Sequence, residues 1–315
     1  MRERAARPVA ILGPTASGKS SLALALVELL AEQGQAAELI SIDSMQVYVG
    51  MDVGTATPTA AERAAVPHHL IDLVAPSEEF TVGAFQRHAA AALADVRERG
   101  AVPILVGGTG LYLRAVIDDL EIPPRFPETL AALEAELAAG QSTVEQLHAR
   151  LAGIDPDAAA RMEPTNERRV LRALEVTLGG ERRFSSYGPG LEAYPPTPFV
   201  QLAIRWPRAG LDERIARRYE QQMAGGFLDE VRRLREIGPS RTAAQALGYR
   251  ELLAHVDGAC SLDEALELAV TRTRRFARRQ ERWFRRDPRI TWLDAPVDPV
   301  VALETWDRVV AESSA

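Results

Sequence analysis

The chain has 315 residues, of which 46% are hydrophobic and 26% are charged. That length is typical of about two domains, and the composition is that of a globular protein with a buried core. No apolar run is long enough for a membrane helix, and the charged residues 1–8 lack the apolar segment of a signal peptide. The single cysteine, Cys260, excludes an internal disulfide and a cysteine-based zinc site. We therefore expect a cytoplasmic protein that does not associate with membranes.

The net charge of −7 is unevenly distributed along the chain. Residues 161–290 contain 25 arginines and 18 acidic residues, a net charge of +7, whereas the rest contains 12 basic and 26 acidic residues, a net charge of −14. This asymmetry predicts an anionic partner, such as a nucleic acid, for the basic part. The alternative is a solvated surface rich in arginine.

The first part of the chain alternates short apolar runs with amphipathic segments. The predicted strands cover Val9–Leu12, 39–43, 69–74 and 102–106, and the predicted helices cover 20–33 and 82–99. Strands that alternate with helices of this length indicate an α/β fold with a parallel sheet, in which ligands bind at the carboxyl ends of the strands.

After a cluster of prolines at 123–127 the pattern changes to helices only. Residues 128–187 predict a helical insertion, and residues 188–198 form a linker rich in glycine and proline. A strand at 199–206, helices at about 211–237, 243–256 and 262–287, a strand at 290–293 and a helix at 298–313 then complete the sheet domain. The predicted division is a first part of the core at 1–125, an insertion at 126–190 and the completion of the core at 191–315.

One motif predicts a phosphate-binding loop. It follows the pattern G-x-x-x-x-G-K-[ST] and consists of Gly13, Pro14, Thr15, Ala16, Ser17, Gly18, Lys19 and Ser20. Backbone amides and the start of the following helix attract an anion, Lys19 neutralises phosphate charge, and the Ser20 hydroxyl can ligate Mg²⁺. Lys19 is the only lysine in the chain, which indicates that a compact ammonium is required there. The motif does not distinguish a diphosphate from a nucleoside triphosphate such as ATP.

Two further residues are predicted to lie at the same edge of the sheet. Asp43 ends the second strand and could hold Mg²⁺ through water, act as a general base, or cap the next turn together with Ser44. Thr109, in the glycine-rich segment 107–110, could donate a hydrogen bond to phosphate or could be a helix N-cap. The sequence leaves these alternatives open.

The segment 272–289 carries nine arginines on a predicted helix. Phe276, Gln280 and Trp283 share one face, which is most simply a packing face, and a neighbouring face carries Arg275, Arg278, Arg282 and Arg285. The arginine row suits contacts with RNA phosphates or a diphosphate, or it is a solvated face. His68 and His69 have no metal-ligand neighbours and are interpreted as structural.

Taken in order, eight motifs resemble one family. They read GPTASGKS, ISIDSMQVYVGMDVGTATP, VPHHLIDLV, VGGTGLYLRAV, NERRVLRALEV, GFLDEVRRL, QALGYREL and RRFARRQERWFRR, and they span about residues 8–295. They are similar to those of the bacterial tRNA dimethylallyltransferases, also called isopentenyl-diphosphate:tRNA transferases. The resemblance implies a P-loop NTPase-like core, a helical insertion that binds the tRNA anticodon stem-loop, Mg²⁺ as cofactor and dimethylallyl diphosphate as substrate. It implies transfer of the dimethylallyl group to N6 of adenine-37, next to the anticodon, in tRNAs that read codons beginning with U.

The resemblance also assigns roles to residues. Asp43 corresponds to the family's general base, and Lys19, Ser20, Thr109 and Arg232 fall where the family holds the diphosphate. The implied tRNA contacts are Asp43, Ser44, Met45, Gln46, Arg168, Arg169, Arg172, Gln245, Gly248, Tyr249, Arg278, Arg279, Arg282 and Arg285. The oligomeric state is not encoded in any of these motifs, and a monomer is the expectation.

Three other functions compete with this interpretation. A small-molecule P-loop kinase would bind ATP at Lys19 and use Asp43 to activate a hydroxyl. An adenylate isopentenyltransferase would modify free adenosine phosphates. A non-catalytic RNA-binding module would have no use for a complete phosphate loop.

Overall fold

A computed structural model describes residues 7–312, and six strands in it form one sheet with the order β3-β2-β4-β1-β5-β6. All neighbouring strands run parallel. The strands are β1 (Val9–Leu12), β2 (Ala37–Ile42), β3 (His68–His69), β4 (Val102–Gly107), β5 (Val200–Arg205) and β6 (Ile290–Asp294). The predicted α/β fold with a parallel sheet is therefore confirmed.

Helices cover both faces of the sheet, which explains why the central strands are continuous apolar runs. All four residues of β1 are buried, and they alternate between two cores. One face packs against α1 (Lys19–Glu32) and α14 (Pro299–Glu312). The helices on the other face include α3 (Val82–Glu98), α4 (Gly110–Ile117), α9 (Arg208–Ala224), α10 (Phe227–Ile237), α12 (Tyr249–Val256) and α13 (Leu262–Phe284).

The strand order brings three chain segments together at the carboxyl edge of the sheet. β4 lies between β1 and β2, so the loops that follow these three strands are neighbours. Gly107, at the end of β4, approaches β2 so closely that a Cβ atom would lie 2.2 Å from the carbonyl oxygen of Ile42. The edge therefore holds the phosphate-loop motif, Asp43 and Thr109 side by side.

Local backbone geometry changes one predicted strand. The strand expected at 69–74 consists only of His68–His69, because Leu70 and Asp72 adopt φ values of 63° and 53° that end the extended conformation. A short helix not predicted from the sequence, α2 (Ala60–Ala65), precedes it with a capping box at Thr59.

Two predicted helices are divided at glycines. The helix expected at 211–237 consists of α9 and α10, separated where Gly226 has a φ of 91°. The helix expected at 243–256 consists of α11 (Arg241–Ala244) and α12, separated where Gly248 has a φ of 84°. Left-handed geometry of this kind is open to glycine and ends a helix.

A second compact unit covers Asp119–Pro195, and the first unit contains the residues before and after it. Its helices are α5 (Pro127–Ala138), α6 (Val144–Ile154), α7 (Pro156–Ala160) and α8 (Glu167–Gly179). It has a hydrophobic core of its own, in which Leu133, Leu147, Leu151 and Leu174 are buried. Among residues 7–312, no helix is both long and apolar enough to cross a membrane.

Candidate active site

The segment between β1 and α1 folds as a tight loop that depends on its glycines. Gly18 and Ala16 have φ values of 89° and 64°, in the left-handed region. At Gly13, a Cβ atom would come within 2.7 Å of the Ser17 hydroxyl oxygen. The first turn of α1 leaves backbone amides without partners in the helix and adds the positive end of its dipole. This loop is built to hold an anion.

A cavity of about 620 Å³ opens beside the loop. Thr15, Lys19 and Ser20 line it together with Asp43 and Thr109, which come from the ends of the two neighbouring strands. The structure thus brings the three predicted motifs together, and one ligand can touch all of them.

Two cations of the cavity, Lys19 and Arg218, are partly withdrawn from water. Burial, opposed by the Asp43 carboxylate and reinforced by the Arg218 guanidinium, lowers the pKa of the Lys19 ammonium to about 8. Lys19 Nζ donates to the carbonyl oxygen of Pro14 at 3.4 Å. A desolvated cation of this kind gains stability when an anion binds beside it.

The Asp43 carboxylate both stabilises a turn and faces the cavity. Its Oδ1 atom accepts a hydrogen bond from the Met45 amide at 2.8 Å, which holds the turn after β2. This is the capping role considered from the sequence, with Met45 as the donor. The side chain also lines the cavity, so turn formation does not exclude a chemical role.

Thr109 occupies the N-cap position of α4 but makes no side-chain cap hydrogen bond. Its Oγ1 atom accepts from the Ser44 amide at 3.2 Å and lies 3.4 Å from the Ser44 hydroxyl oxygen. The hydroxyl therefore ties the loop after β4 to the turn that contains Asp43, at the wall of the cavity.

Arg218 is a cavity residue that the sequence analysis missed. Its Nη1 atom donates to Thr15 Oγ1 at 3.1 Å and its Nη2 atom to the carbonyl oxygen of Gly54 at 3.2 Å. Burial lowers the pKa of this guanidinium, which signals a cation held out of water. A signal was present in the sequence, because Arg218 falls on the buried stripe of α9 formed by Leu211, Ile215 and Tyr219.

Arg232 does not lie where the resemblance places it. Its side chain is 56% exposed, pairs with Asp229 at 2.7 Å, and is not part of the cavity wall. The inward stripe of α10 consists of Phe227, Glu230, Val231 and Leu234, and the helical period puts Arg232 on the outer face. Arg218 is the arginine that the structure brings to the phosphate loop.

Gln280 is a second residue that the sequence underestimated. Instead of only packing, its side chain accepts from the Thr15 amide at 2.9 Å and donates to the carbonyl oxygen of Gly108 at 2.9 Å. Trp283, on the same face, packs against Gly110, where a Cβ atom would lie 2.1 Å from the indole nitrogen. Helix α13 is thereby fixed to two of the loops that form the cavity, those after β1 and β4.

The predicted arginine row of α13 divides between two surfaces. Arg275 and Arg279 line the large cavity, together with Arg250 and Arg272 from its neighbourhood. Arg278 and Arg285 line a separate, smaller cavity beside Trp206, and Arg282 is exposed. Of the implied tRNA contacts on this helix, only Arg279 reaches the cavity that contains Asp43.

The implied tRNA contacts outside α8 and α13 lie in the cavity wall or next to it. Ser44, Met45, Gln46, Gln245 and Tyr249 line the cavity. Tyr249, however, is only 1% exposed and donates its hydroxyl to a buried carboxylate, Glu230, at 2.6 Å. Gly248 serves the turn before α12, because a Cβ atom there would lie 2.9 Å from the Phe227 ring. Tyr249 is therefore a fixed part of the cavity wall, and Gly248 supports the turn next to it.

The arginines of α8 lie in the second compact unit. Arg168 and Arg169 are exposed in its first turn. Arg172 instead donates to the carbonyl oxygen of Pro123 at 2.7 Å and pairs with the buried Glu175 at 2.7 Å. The structure therefore gives Arg172 a structural role within the unit and leaves Arg168 and Arg169 available to a partner.

The donor set suits Mg²⁺ bound through a substrate. The described residues contain no cluster of three His, Cys, Asp or Glu side chains that could form a protein cage for a metal. Ser20 and Asp43 nevertheless offer two oxygen-bearing side chains beside the phosphate loop. Mg²⁺ commonly binds with one or two protein ligands, waters and substrate phosphates, and these residues fit that pattern.

Comparison with known proteins identifies the family. The family model described as IPP transferase matches residues 46–287. A tRNA dimethylallyltransferase of Kineococcus radiotolerans is 51% identical, over 91% of this chain and 90% of the relative. The chain belongs to the IPP transferase family. The resemblance noted from the eight motifs is therefore confirmed.

Solved structures of IPP transferases share the fold. The full-length tRNA isopentenylpyrophosphate transferase of Bacillus halodurans has a TM-score of 0.70 and 39% identity, covering 98% of each chain. A eukaryotic dimethylallyltransferase, described as acting on tRNA, has a TM-score of 0.75 and 26% identity, over 98% of this chain and 77% of that one.

Proposed function

We propose that this chain transfers a dimethylallyl group from dimethylallyl diphosphate to N6 of adenine-37, next to the anticodon, in tRNAs that read codons beginning with U. The observation that carries the proposal is the single cavity that joins a cation-lined phosphate loop to the Asp43 carboxylate and to Arg275 and Arg279. The relatives named as tRNA dimethylallyltransferases support the same class of reaction.

The donor side of the reaction requires a site that stabilises a departing diphosphate. The C–O bond between the allylic carbon and the diphosphate breaks, and negative charge develops on the leaving group. Lys19, Arg218 and the loop amides bind that charge; the two cations line the cavity, and Arg218 contacts Thr15 of the loop. The allylic carbon needs no protein nucleophile, because its cationic character is stabilised by resonance.

The acceptor side requires a base. The exocyclic amine of adenine is conjugated to the purine ring and is a weak nucleophile. As the bond between N6 and the allylic carbon forms, Asp43, which lines the cavity, takes the N6 proton and so removes the developing positive charge. A target base in a single-stranded loop leaves its stack at low cost and can enter such a cavity.

Mg²⁺ is part of the proposal. Ser20 would hold it through its hydroxyl oxygen, beside the phosphate loop. When bound, it would add positive charge at the diphosphate oxygens. We also propose that the unit Asp119–Pro195 contacts the anticodon stem-loop and that the protein acts as a monomer.

The proposal is tested by supplying competing acceptors. The full chain is incubated with labelled dimethylallyl diphosphate, Mg²⁺ and unmodified tRNA, with AMP and ATP as parallel acceptors. Label is expected in the tRNA and not in the free nucleotides, and a tRNA with guanine at position 37 is expected to remain unlabelled. Label in AMP would indicate an adenylate isopentenyltransferase, and phosphoryl transfer from ATP would indicate a kinase.

A further inference from the structure

Glu230 is a buried carboxylate behind the cavity wall. It lies on the inward stripe of α10 with Phe227, Val231 and Leu234, and it is 2% exposed. A carboxylate among apolar neighbours is strongly destabilising unless hydrogen-bond donors surround it. Its position on the buried stripe therefore indicates that specific hydrogen bonds hold it there.

Four neutral donors satisfy this carboxylate. Oε2 accepts from the amides of Asp52 and Val53 at 2.9 and 2.8 Å, and Oε1 accepts from the amide of Gly54 at 3.1 Å. The Tyr249 hydroxyl donates to Oε1 at 2.6 Å. Burial and the neighbouring Glu230 raise the pKa of the Tyr249 phenol, which keeps it in the donor form. Three consecutive backbone amides are thus fixed on one side chain.

The segment fixed by Glu230 holds Arg218 on its other side. The carbonyl oxygen of Gly54 accepts from Arg218 at 3.2 Å and from Gln222 at 2.8 Å, and that of Val53 accepts from Gln222 at 2.8 Å. The Gly54 backbone also lies directly against α10 and α12, because a Cβ atom there would come within 2.3 Å of the Phe227 ring and 2.4 Å of the Tyr249 ring.

We propose that Glu230 is a positioning residue for diphosphate binding, which acts through residues 52–54 to hold Arg218 against the phosphate loop. The connection runs from Glu230 to the amides of 52–54, from the Gly54 carbonyl to Arg218 Nη2, and from Arg218 Nη1 to Thr15. This inference rests on the proposed binding of the diphosphate by Arg218, and it assigns the control of that arginine to a residue outside the cavity.

A double-mutant cycle tests the connection. Inorganic pyrophosphate with Mg²⁺ is titrated into the full chain without tRNA, for wild type, Glu230→Gln, Arg218→Ala and the double variant. Glu230→Gln keeps the side-chain shape but turns an amide N–H toward backbone donors. We expect about tenfold weaker pyrophosphate binding from Glu230→Gln alone, and no further weakening from it in the Arg218→Ala background, because residues in one network do not act additively.

The control is Glu236→Gln, an exposed glutamate on the same helix, which is expected to bind pyrophosphate as wild type does. Unchanged binding in Glu230→Gln, or an equal loss in both backgrounds, would overturn the proposal. If Glu230→Gln does not fold, Tyr249→Phe removes one of the four donors, and the same comparison with and without Arg218→Ala decides the question. The titration uses no acceptor, so a wrong tRNA assignment would not alter its outcome.

Discussion

At the scale of single residues, Asp43 separates chemistry from binding. Replacing its carboxylate by an amide in Asp43→Asn keeps an acceptor for the Met45 amide but removes the base. We expect the single-turnover rate of prenyl transfer to fall by roughly 10²- to 10⁴-fold, the usual worth of a positioned base. The dissociation constant for tRNA should stay near its wild-type value. Asp263→Asn, at an exposed position on α13, is the matched control, and a near-normal rate in Asp43→Asn would exclude the base role.

Substitutions of Arg218 and Arg232 test which of the two arginines binds the leaving diphosphate. Arg218→Ala is expected to weaken dimethylallyl diphosphate binding by roughly 10- to 100-fold, the worth of a charge-assisted hydrogen bond to phosphate. Arg232→Ala removes an exposed ion pair with Asp229, so its effect should stay within about twofold. A larger loss from Arg232→Ala than from Arg218→Ala would return the role to the residue predicted from the sequence.

The lowered pKa of Lys19 gives diphosphate binding a pH dependence. In the protein without ligand, the Lys19 pKa is about 8, and a bound diphosphate raises it because the anion favours the ammonium. Binding above pH 8 must therefore take up a proton, whereas binding below pH 8 need not. We expect a constant affinity up to about pH 8 and a decline of about tenfold per unit above it, measured by titration with dimethylallyl diphosphate. Lys19→Met should bind weakly without this decline, and an equal decline in that variant would assign it to another group.

Some of the site residues can be predicted from the sequence and others cannot, and the difference has a physical reason. Asp43 and Thr109 come within two residues of the ends of β2 and β4, and Lys19 ends the short loop after β1, so the strand pattern and the loop motif place all three at one edge of the sheet. Arg218 and Glu230 reach the site from helices far along the chain. Their only sequence signal is a charged residue at a buried helical position, and the helix packing that gives this signal meaning is tertiary.

At the scale of elements, the sequence predicts the core strands and the long helices well, but not where backbone geometry interrupts them. The apolar period continues from α9 into α10, and only the left-handed φ of Gly226 separates the two helices. The turn at Gly248 depends on its contact with Phe227, a residue from another helix. The strand predicted at 69–74 ends early for a similar reason, because Leu70 leaves the extended region.

Helix α13 can be tested as an element that fixes the two loops. Gln280→Met keeps the side-chain volume but leaves the Thr15 amide and the Gly108 carbonyl without their partner. We expect the free energy of unfolding to fall by roughly 1–3 kcal/mol, and diphosphate binding to weaken because the phosphate loop loses its anchor. Chemical denaturation and pyrophosphate titration measure the two effects. Gln221→Met, exposed on α9, is the control, and unchanged binding in Gln280→Met would show that the loop holds its shape without α13.

At the scale of the whole molecule, the uneven charge gains a structural meaning. The arginine-rich part of the sequence contributes Arg250, Arg272, Arg275 and Arg279 to the cavity that contains Asp43. It also contributes the exposed Arg168 and Arg169 to the separate unit Asp119–Pro195. Each unit therefore carries its own arginine surface, and each can be tested separately for binding to tRNA phosphates.

Two arginines of α8 separate tRNA binding from stability. Arg168→Ala removes an exposed cation, so we expect weaker tRNA binding and a slope of log affinity against log salt that is smaller by about 1. Arg172→Ala removes the partner of the buried Glu175 and the donor to Pro123, so the unit should unfold more easily, by roughly 1–3 kcal/mol. Filter binding at several salt concentrations and thermal unfolding measure the two quantities. An unchanged salt slope in Arg168→Ala would show that Arg168 does not contact tRNA phosphates. An unchanged stability in Arg172→Ala would show that the Arg172 side chain is not needed for the fold of the unit and is available to bind RNA.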